Sequence, residues 1–135
     1  MPSDNVEVVR RFYDSWSERN FDAIMECVAA DVEFDWTESR SPYQGVYRGR
    51  DGIMRFWHDQ LEAWEEFRIE LVEAIECDPE TMLAVTSVRG RGRGSGIDLE
   101  AAGAAIWRLR DGAIAQVKLF QGKDEALEAL RLETR

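Results

Sequence analysis

The sequence predicts an α+β fold in which a curved antiparallel sheet wraps around N-terminal helices. Three observations carry this. Apolar residues recur at helical spacing through about the first 28 positions, and again over residues 51–64. From residue 66 to residue 121 the pattern alternates instead, broken only by short turn signals. Strands joined by short turns and preceded by helices place those helices on one face of an antiparallel sheet.

Asp4 and Glu7 have capping-box spacing, and Val6, Val9, Tyr13 and Trp16 follow at helical intervals, which makes residues 4–19 the first helix. Asn20 can cap a second helix whose stripe is Phe21, Ile24, Met25 and Val28. Val32, Phe34 and Trp36 then alternate with Asp31, Glu33 and Asp35, giving a short strand. Residues 37–50, rich in Ser, Arg, Gly and Tyr with Pro42, read as a loop. The third helix, 51–64, carries Ile53, Phe56, Trp57, Gln60, Leu61 and Trp64 on one stripe. A long strand follows from Phe67 to Cys77, and Glu73 on its apolar side predicts a bulge near Val72-Glu73. Turns at Asp78-Pro79-Glu80, Gly94-Ser95-Gly96 and Arg110-Asp111-Gly112 separate strands 81–93, 97–110 and 113–121. A helix at 123–131 with Leu127 and Leu130 closes the order ααβαββββα.

At 135 residues the chain has the size of one domain, and no linker or internal repeat divides it. A net charge of −10 disfavours nucleic acid and anionic membrane surfaces, which are held by positive patches. Arg89-Gly90-Arg91-Gly92-Arg93-Gly94 superficially looks like an RNA-binding tract, yet it continues the alternation of the strand before it. No apolar run approaches the roughly 20 residues a membrane span requires, and Met1-Pro2-Ser3-Asp4 has no secretory character, so a cytoplasmic address is expected. Cys27 and Cys77 form no CxxC motif. Both are expected to be small buried hydrophobes, and neither a metal nor a cofactor is expected.

The order and spacing of several short segments resemble the SnoaL-like branch of the nuclear-transport-factor-2-like superfamily. They are Phe12-Tyr13 with Trp16, Asn20-Phe21-Asp22, Asp31-Val32-Glu33-Phe34, Tyr47-Arg48-Gly49-Arg50-Asp51-Gly52-Ile53, Trp107-Arg108-Leu109-Arg110-Asp111-Gly112 and Asp124-Glu125-Ala126-Leu127. The resemblance covers essentially the whole chain and implies a cone whose interior is the ligand site and whose outer sheet face commonly makes a homodimer. Its members include isomerases, dehydratases, cyclases, hydrolases and non-catalytic binders, so fold alone does not choose among them. Neither the carboxyl-and-tyrosine set of ketosteroid isomerase nor an Asp-Arg-Asp hydrolase set maps onto these residues.

Three residues are candidates for acid/base chemistry. His58, the only histidine, follows Trp57 and is rotated about 100° from the centre of the stripe, so it is a base at the pocket's edge or a partly exposed packing residue. Asp35 could abstract a proton beside a carbonyl, but strand alternation sets it opposite Phe34 and Trp36. Glu100 is either a buried acid or an outward one. Arg89, Arg91 and Arg93 share one strand face and Gly90, Gly92 and Gly94 the other. Either the arginines clamp an anion inside, or the glycines widen the cavity while the arginines pair outside. The aromatic residues Trp16, Trp36, Tyr43, Tyr47, Trp57, Trp64 and Phe120 exceed what packing needs in so small a domain. As a set they suit a small apolar or aromatic molecule. Ala101, Gly103 and Ala105 would leave space for it if they face the same interior.

Overall fold

Residues 4–37 and 45–133 are described in the computed structural model, with side chains through residue 131. Helices α1 (Asp4–Ser17) and α2 (Phe21–Cys27) lead into strand β1 (Val28–Asp35) and a short β2 (Val46–Arg48), followed by α3 (Gly49–Ala63). The meander β3 (Trp64–Asp78), β4 (Thr81–Gly92), β5 (Asp98–Arg110) and β6 (Ala113–Phe120) then runs into α4 (Lys123–Glu133). The predicted order holds, with β2 added at the end of the segment read as a loop. Val28, read as the last residue of the second helix's stripe, is extended at φ −105° and ψ 145° and opens β1 instead. Asn20 caps α2 as expected, its Oδ1 accepting the Ala23 N–H at 3.2 Å.

The six strands lie in the order β2-β1-β6-β5-β4-β3. All neighbours are antiparallel except β1 and β6, which run parallel. The elements between them supply the long crossover that a parallel pair requires. Helix α1 touches both β3 and β6, which stand three places apart in the sheet, so the sheet curls around it. The Ser17 hydroxyl fixes one end of this contact by donating to the Ile69 carbonyl at 3.1 Å and accepting the Ile69 N–H at 3.3 Å.

Two apolar clusters result. The larger fills the concave side, where Phe12, Phe34, Phe56 and Trp107 are at most 3% exposed. The smaller lies on the convex side under α4 and contains Leu83, Ala104, Ile106, Phe120 and Ala126. A sheet buried on both faces over part of its length explains why Met82, Leu83 and Ala84 are all fully buried.

The predicted bulge in β3 is present: its register against β4 shifts between Leu71 and Glu73. Before it, Phe67, Ile69 and Leu71 face inward. The inserted residue turns Glu73 outward, where Lys123 pairs with it at 3.1 Å, and turns Ile75 against Leu83 on the convex side. Cys27 is buried as expected and its thiol donates to the Ala23 carbonyl at 3.2 Å, but Cys77 is exposed. Cys77 stands near the end of edge strand β3, at the last of its three register shifts against β4, which takes it off the packed face. At the Arg110-Asp111-Gly112 turn, Asp111 and Gly112 take φ of 54° and 78°, the left-handed pair a tight hairpin between β5 and β6 requires.

Candidate functional site

The concave side is not completely filled. A cavity of about 330 Å³ lies between α1, the end of α3 and the inner faces of β3–β6. This volume lies at the lower end of the range for small-molecule pockets. Its walls are mainly aromatic: Phe12 and Trp16 from α1, Phe34 from β1 and Trp36 just after it, Trp64 and Phe67 from β3. The rings brace one another, Trp36 lying 6.0 Å from Phe34 in a stacked pair and Trp107 meeting Phe12 edge-on at 5.1 Å.

The floor is β5, where Ala101, Gly103 and Ala105 alternate on the cavity face opposite Val88, Thr86 and Ala84 of β4. Small residues at three successive inward positions leave the space that larger side chains would occupy. The same parity decides between the two readings of the arginine-glycine run. Gly90 lies inward, and a Cβ on it would come within 3.1 Å of the Trp64 ring, so its missing side chain makes room for that tryptophan. Arg89 and Arg91 lie outward and pair across β5 with Glu100 at 3.3 Å and Asp98 at 3.0 Å.

Tyr13, Gln60 and Thr86 are three of the polar side chains that line the apolar cavity. The Trp107 indole donates to the Tyr13 hydroxyl oxygen at 3.2 Å, and burial pushes the Tyr13 pKa far up, so the phenol stays neutral. Gln60, 6% exposed, accepts the Trp64 indole N–H on Oε1 at 3.1 Å, while its Nε2 has no partner. Thr86 is the third, 4% exposed and facing Gly103. Trp64 is held at the helix-to-strand junction by several bonds. Its backbone N–H donates to the Gln60 carbonyl, and its own carbonyl accepts Arg93 Nη2 at 3.4 Å.

The structure brings Trp16, Trp36, Trp64 and Phe120 to this cavity, Phe120 also belonging to the convex cluster. Trp57 and Tyr47 pack behind it. Trp57 meets Trp16 edge-on at 4.9 Å, and Tyr47 meets Phe56 at 5.0 Å while its hydroxyl donates to Asp59 at 3.2 Å. Tyr43 lies outside the described residues. His58 is exposed on the far side of α3. Asp35 turns away from Phe34, and its Oδ1 accepts the Thr37 N–H and hydroxyl at 3.1 and 2.6 Å, closing the turn that ends β1. Glu100 borders the cavity through its place on β5, but its side chain is 72% exposed and held by Arg89. Arg89 belongs instead to a broader charged groove at the sheet's open end, where Arg19, Arg68 and Arg91 are interspersed with Glu66, Asp98 and Glu100. The carboxylates there neutralise much of the field an anion would need.

Sequence reasoning did not single out Tyr13, Gln60, Thr86 or Trp107 as site residues. A signal existed for Gln60, a polar residue in the middle of an apolar stripe, and for Tyr13, a hydroxyl on the buried face of α1. Thr86 and Trp107 carried none, because their inward direction depends on strand parity.

The family model for the SnoaL-like domain matches residues 9–117. None of the curated proteins matches the chain in sequence. Among solved structures, the chain is similar to TerC co-crystallised with polyporic acid, at 19% identity and a TM-score of 0.78, covering 95% of this chain and 98% of that one. It is similar to an NTF2-like protein of unknown function from Burkholderia pseudomallei, at 20% identity and a TM-score of 0.79, covering 94% and 97%. A third is RV0760c from Mycobacterium tuberculosis in complex with estradiol-17beta-hemisuccinate, at 15% identity and a TM-score of 0.76, covering 91% and 97%.

Proposed function

The chain belongs to the SnoaL-like domain family, and on that premise we propose that it binds a small, flat, mostly apolar compound in the aromatic cavity of its cone. The observation that carries this is the cavity itself: about 330 Å³ walled by aromatic rings, floored by alanine and glycine, with only a few polar groups turned inward. Two structural neighbours were crystallised with ring compounds, polyporic acid and estradiol-17beta-hemisuccinate, which supports the same class of ligand here.

Binding without turnover is the reading the site favours. His58, Asp35, Glu100 and Arg89 direct their polar groups to solvent, a turn or one another. Titration of the intrinsic tryptophan fluorescence with ring compounds tests it. His58→Ala, Asp35→Asn and Glu100→Gln should each leave affinity within about twofold, while Trp36→Ala should weaken it about tenfold or more. Affinity that depends on one of the first three and not on Trp36 would place the ligand elsewhere.

A second reading has one observation in its favour. The Tyr13 oxygen accepts the Trp107 indole N–H, and burial keeps the hydroxyl neutral, so its proton is available to an oxygen in the cavity. In that reading Tyr13 polarises a carbonyl and the protein promotes a cofactor-free isomerisation, cyclisation, dehydration or hydrolysis. Turnover of a bound compound that is lost in Tyr13→Phe would establish it. A cytoplasmic homodimer built through the outer sheet face completes the proposal, with light scattering and cell fractionation as its measurements.

A further inference from the structure

Gln60 stands in the last turn of α3, on the stripe that faces the core, and is 6% exposed. A glutamine amide carries an oxygen and a nitrogen of nearly the same shape, so its hydrogen bonds must decide which is which. Here they do. The Trp64 indole can only donate, so the atom 3.1 Å from it is the accepting Oε1. The –NH₂ group is then the other end, and Nε2 is the one fully buried side-chain nitrogen or oxygen among the described residues with no hydrogen-bond partner.

An amide buried without a partner loses its hydration and gains nothing in return, which makes it a rare feature that calls for a cause. Gln60 lines the aromatic cavity, but Nε2 itself has almost no accessible surface there, so an acceptor reaches it only when a bound molecule shifts the side chains that cover it. The surrounding bonds hold the amide ready. The Trp64 backbone N–H donates to the Gln60 carbonyl, and the Trp64 indole donates to the amide oxygen. Donation to the oxygen polarises the amide and strengthens its N–H groups as donors.

We infer that the Gln60 Nε2 is the ligand-orienting donor of this cavity, and that the ligand is a flat ring compound carrying a neutral carbonyl oxygen, such as a ketone or quinone. The inference rests on the reading of the cavity as a ligand site and narrows the ligand class within it. A neutral acceptor is specified because the cavity is bordered by no Lys, Arg or His among the described residues, so nothing there would compensate a buried carboxylate or phosphate.

The test uses 9-fluorenone and fluorene, which share one tricyclic frame and differ by the ketone oxygen, titrated into the protein by tryptophan fluorescence. Wild type should bind fluorenone about tenfold more tightly than fluorene. Gln60→Met keeps the shape and removes the donor; it should bring fluorenone down to the affinity of fluorene while fluorene stays within about twofold, which also reports that the cavity is intact. Because that variant leaves the Trp64 indole without its acceptor, the double variant Gln60→Met/Trp64→Phe, which removes both partners, should give the same loss. Tyr13→Phe should retain the preference. Equal binding of the two probes by wild type would overturn the inference and leave the cavity as a ligand site. So would a preference that survives in both Gln60 variants or disappears in Tyr13→Phe. Failure of wild type to bind either probe would overturn the ligand-site reading itself, and the inference with it.

Discussion

Gly103→Leu tests whether the small residues of β5 face an open space. The new Cβ would lie 3.3 Å from Thr86 Oγ1, a few tenths of an ångström too close, so the threonine hydroxyl must turn aside. The remaining three carbons extend into the cavity. At roughly 30 Å³ per heavy atom the four carbons take up on the order of 120 Å³, about a third of the space available. Burying them contributes about 0.8 kcal/mol each, or roughly 3 kcal/mol in all. Crowding at Thr86 offsets about 1–2 kcal/mol of this. The expected net gain is about 1–2 kcal/mol, a rise in Tm of roughly 3–8 °C for a domain of this size. A tricyclic ligand should lose at least about tenfold in affinity, equivalent to about 1.4 kcal/mol. Thermal unfolding by circular dichroism and a fluorescence titration with fluorene read the two effects on the same samples. A lower Tm together with unchanged fluorene affinity would refute the reasoning, because it would mean that Gly103 meets packed atoms and that the ligand lies elsewhere.

Two further outcomes follow from titrating groups. Burial raises the Tyr13 pKa above its ordinary value near 10, so the folded state keeps a proton the unfolded chain releases, and the stability this represents is present below pH 10 and is lost as pH rises. Tyr13→Phe should cost about 1 kcal/mol at pH 8 through the lost Trp107 bond, and its deficit should shrink by about 1.4 kcal/mol per pH unit above 10; urea unfolding at pH 8 and pH 11 measures both, and a constant deficit would contradict a buried neutral phenol. The hydrogen bond from Arg110 holds the Asp31 carboxyl below the ordinary carboxylate range. Its contribution is therefore present above the unfolded value near 4 and is lost as pH falls through the lower folded value. Asp31→Asn should be less stable than wild type at pH 7 and indistinguishable from it near pH 2, with high salt narrowing the gap at pH 7, since the pair is exposed. A gap that persists in acid would assign the effect to something other than this pair.

The elements were legible because each depends on residues a few positions apart. The stripe of α1, the alternation of β4 to β6, the Asn20 cap and the Asp111-Gly112 turn are local statements, and the structure reproduces them. Even the bulge in β3 was legible, since a glutamate at residue 73 on an apolar side marks a change of phase. Spacing from Trp57 left His58 at the pocket's edge or partly exposed, and alternation set Asp35 opposite Phe34; the structure exposes His58 and binds Asp35 into the turn after β1. Other features were not local. The parallel pairing of β1 with β6 joins segments about 80 residues apart, and the exposure of Cys77 follows from a shift of register against a neighbouring strand. The inward face of β4 and β5 belongs to the same group. Alternation shows that Gly90 and Arg89 face opposite ways, but a one-residue change of pairing exchanges them, and only the sheet's closure around α1 chose the glycine side.

What the sequence by itself determined was the set of elements, their order and an aromatic surplus that needed a use. The tertiary structure decided where that surplus leaves a gap, and that Gln60 meets it with an amide whose oxygen is engaged by Trp64 and whose nitrogen is not. The reason is physical. Periodicity records which face of an element is apolar, whereas a cavity and an unpaired donor are properties of several elements at once, fixed only when they pack.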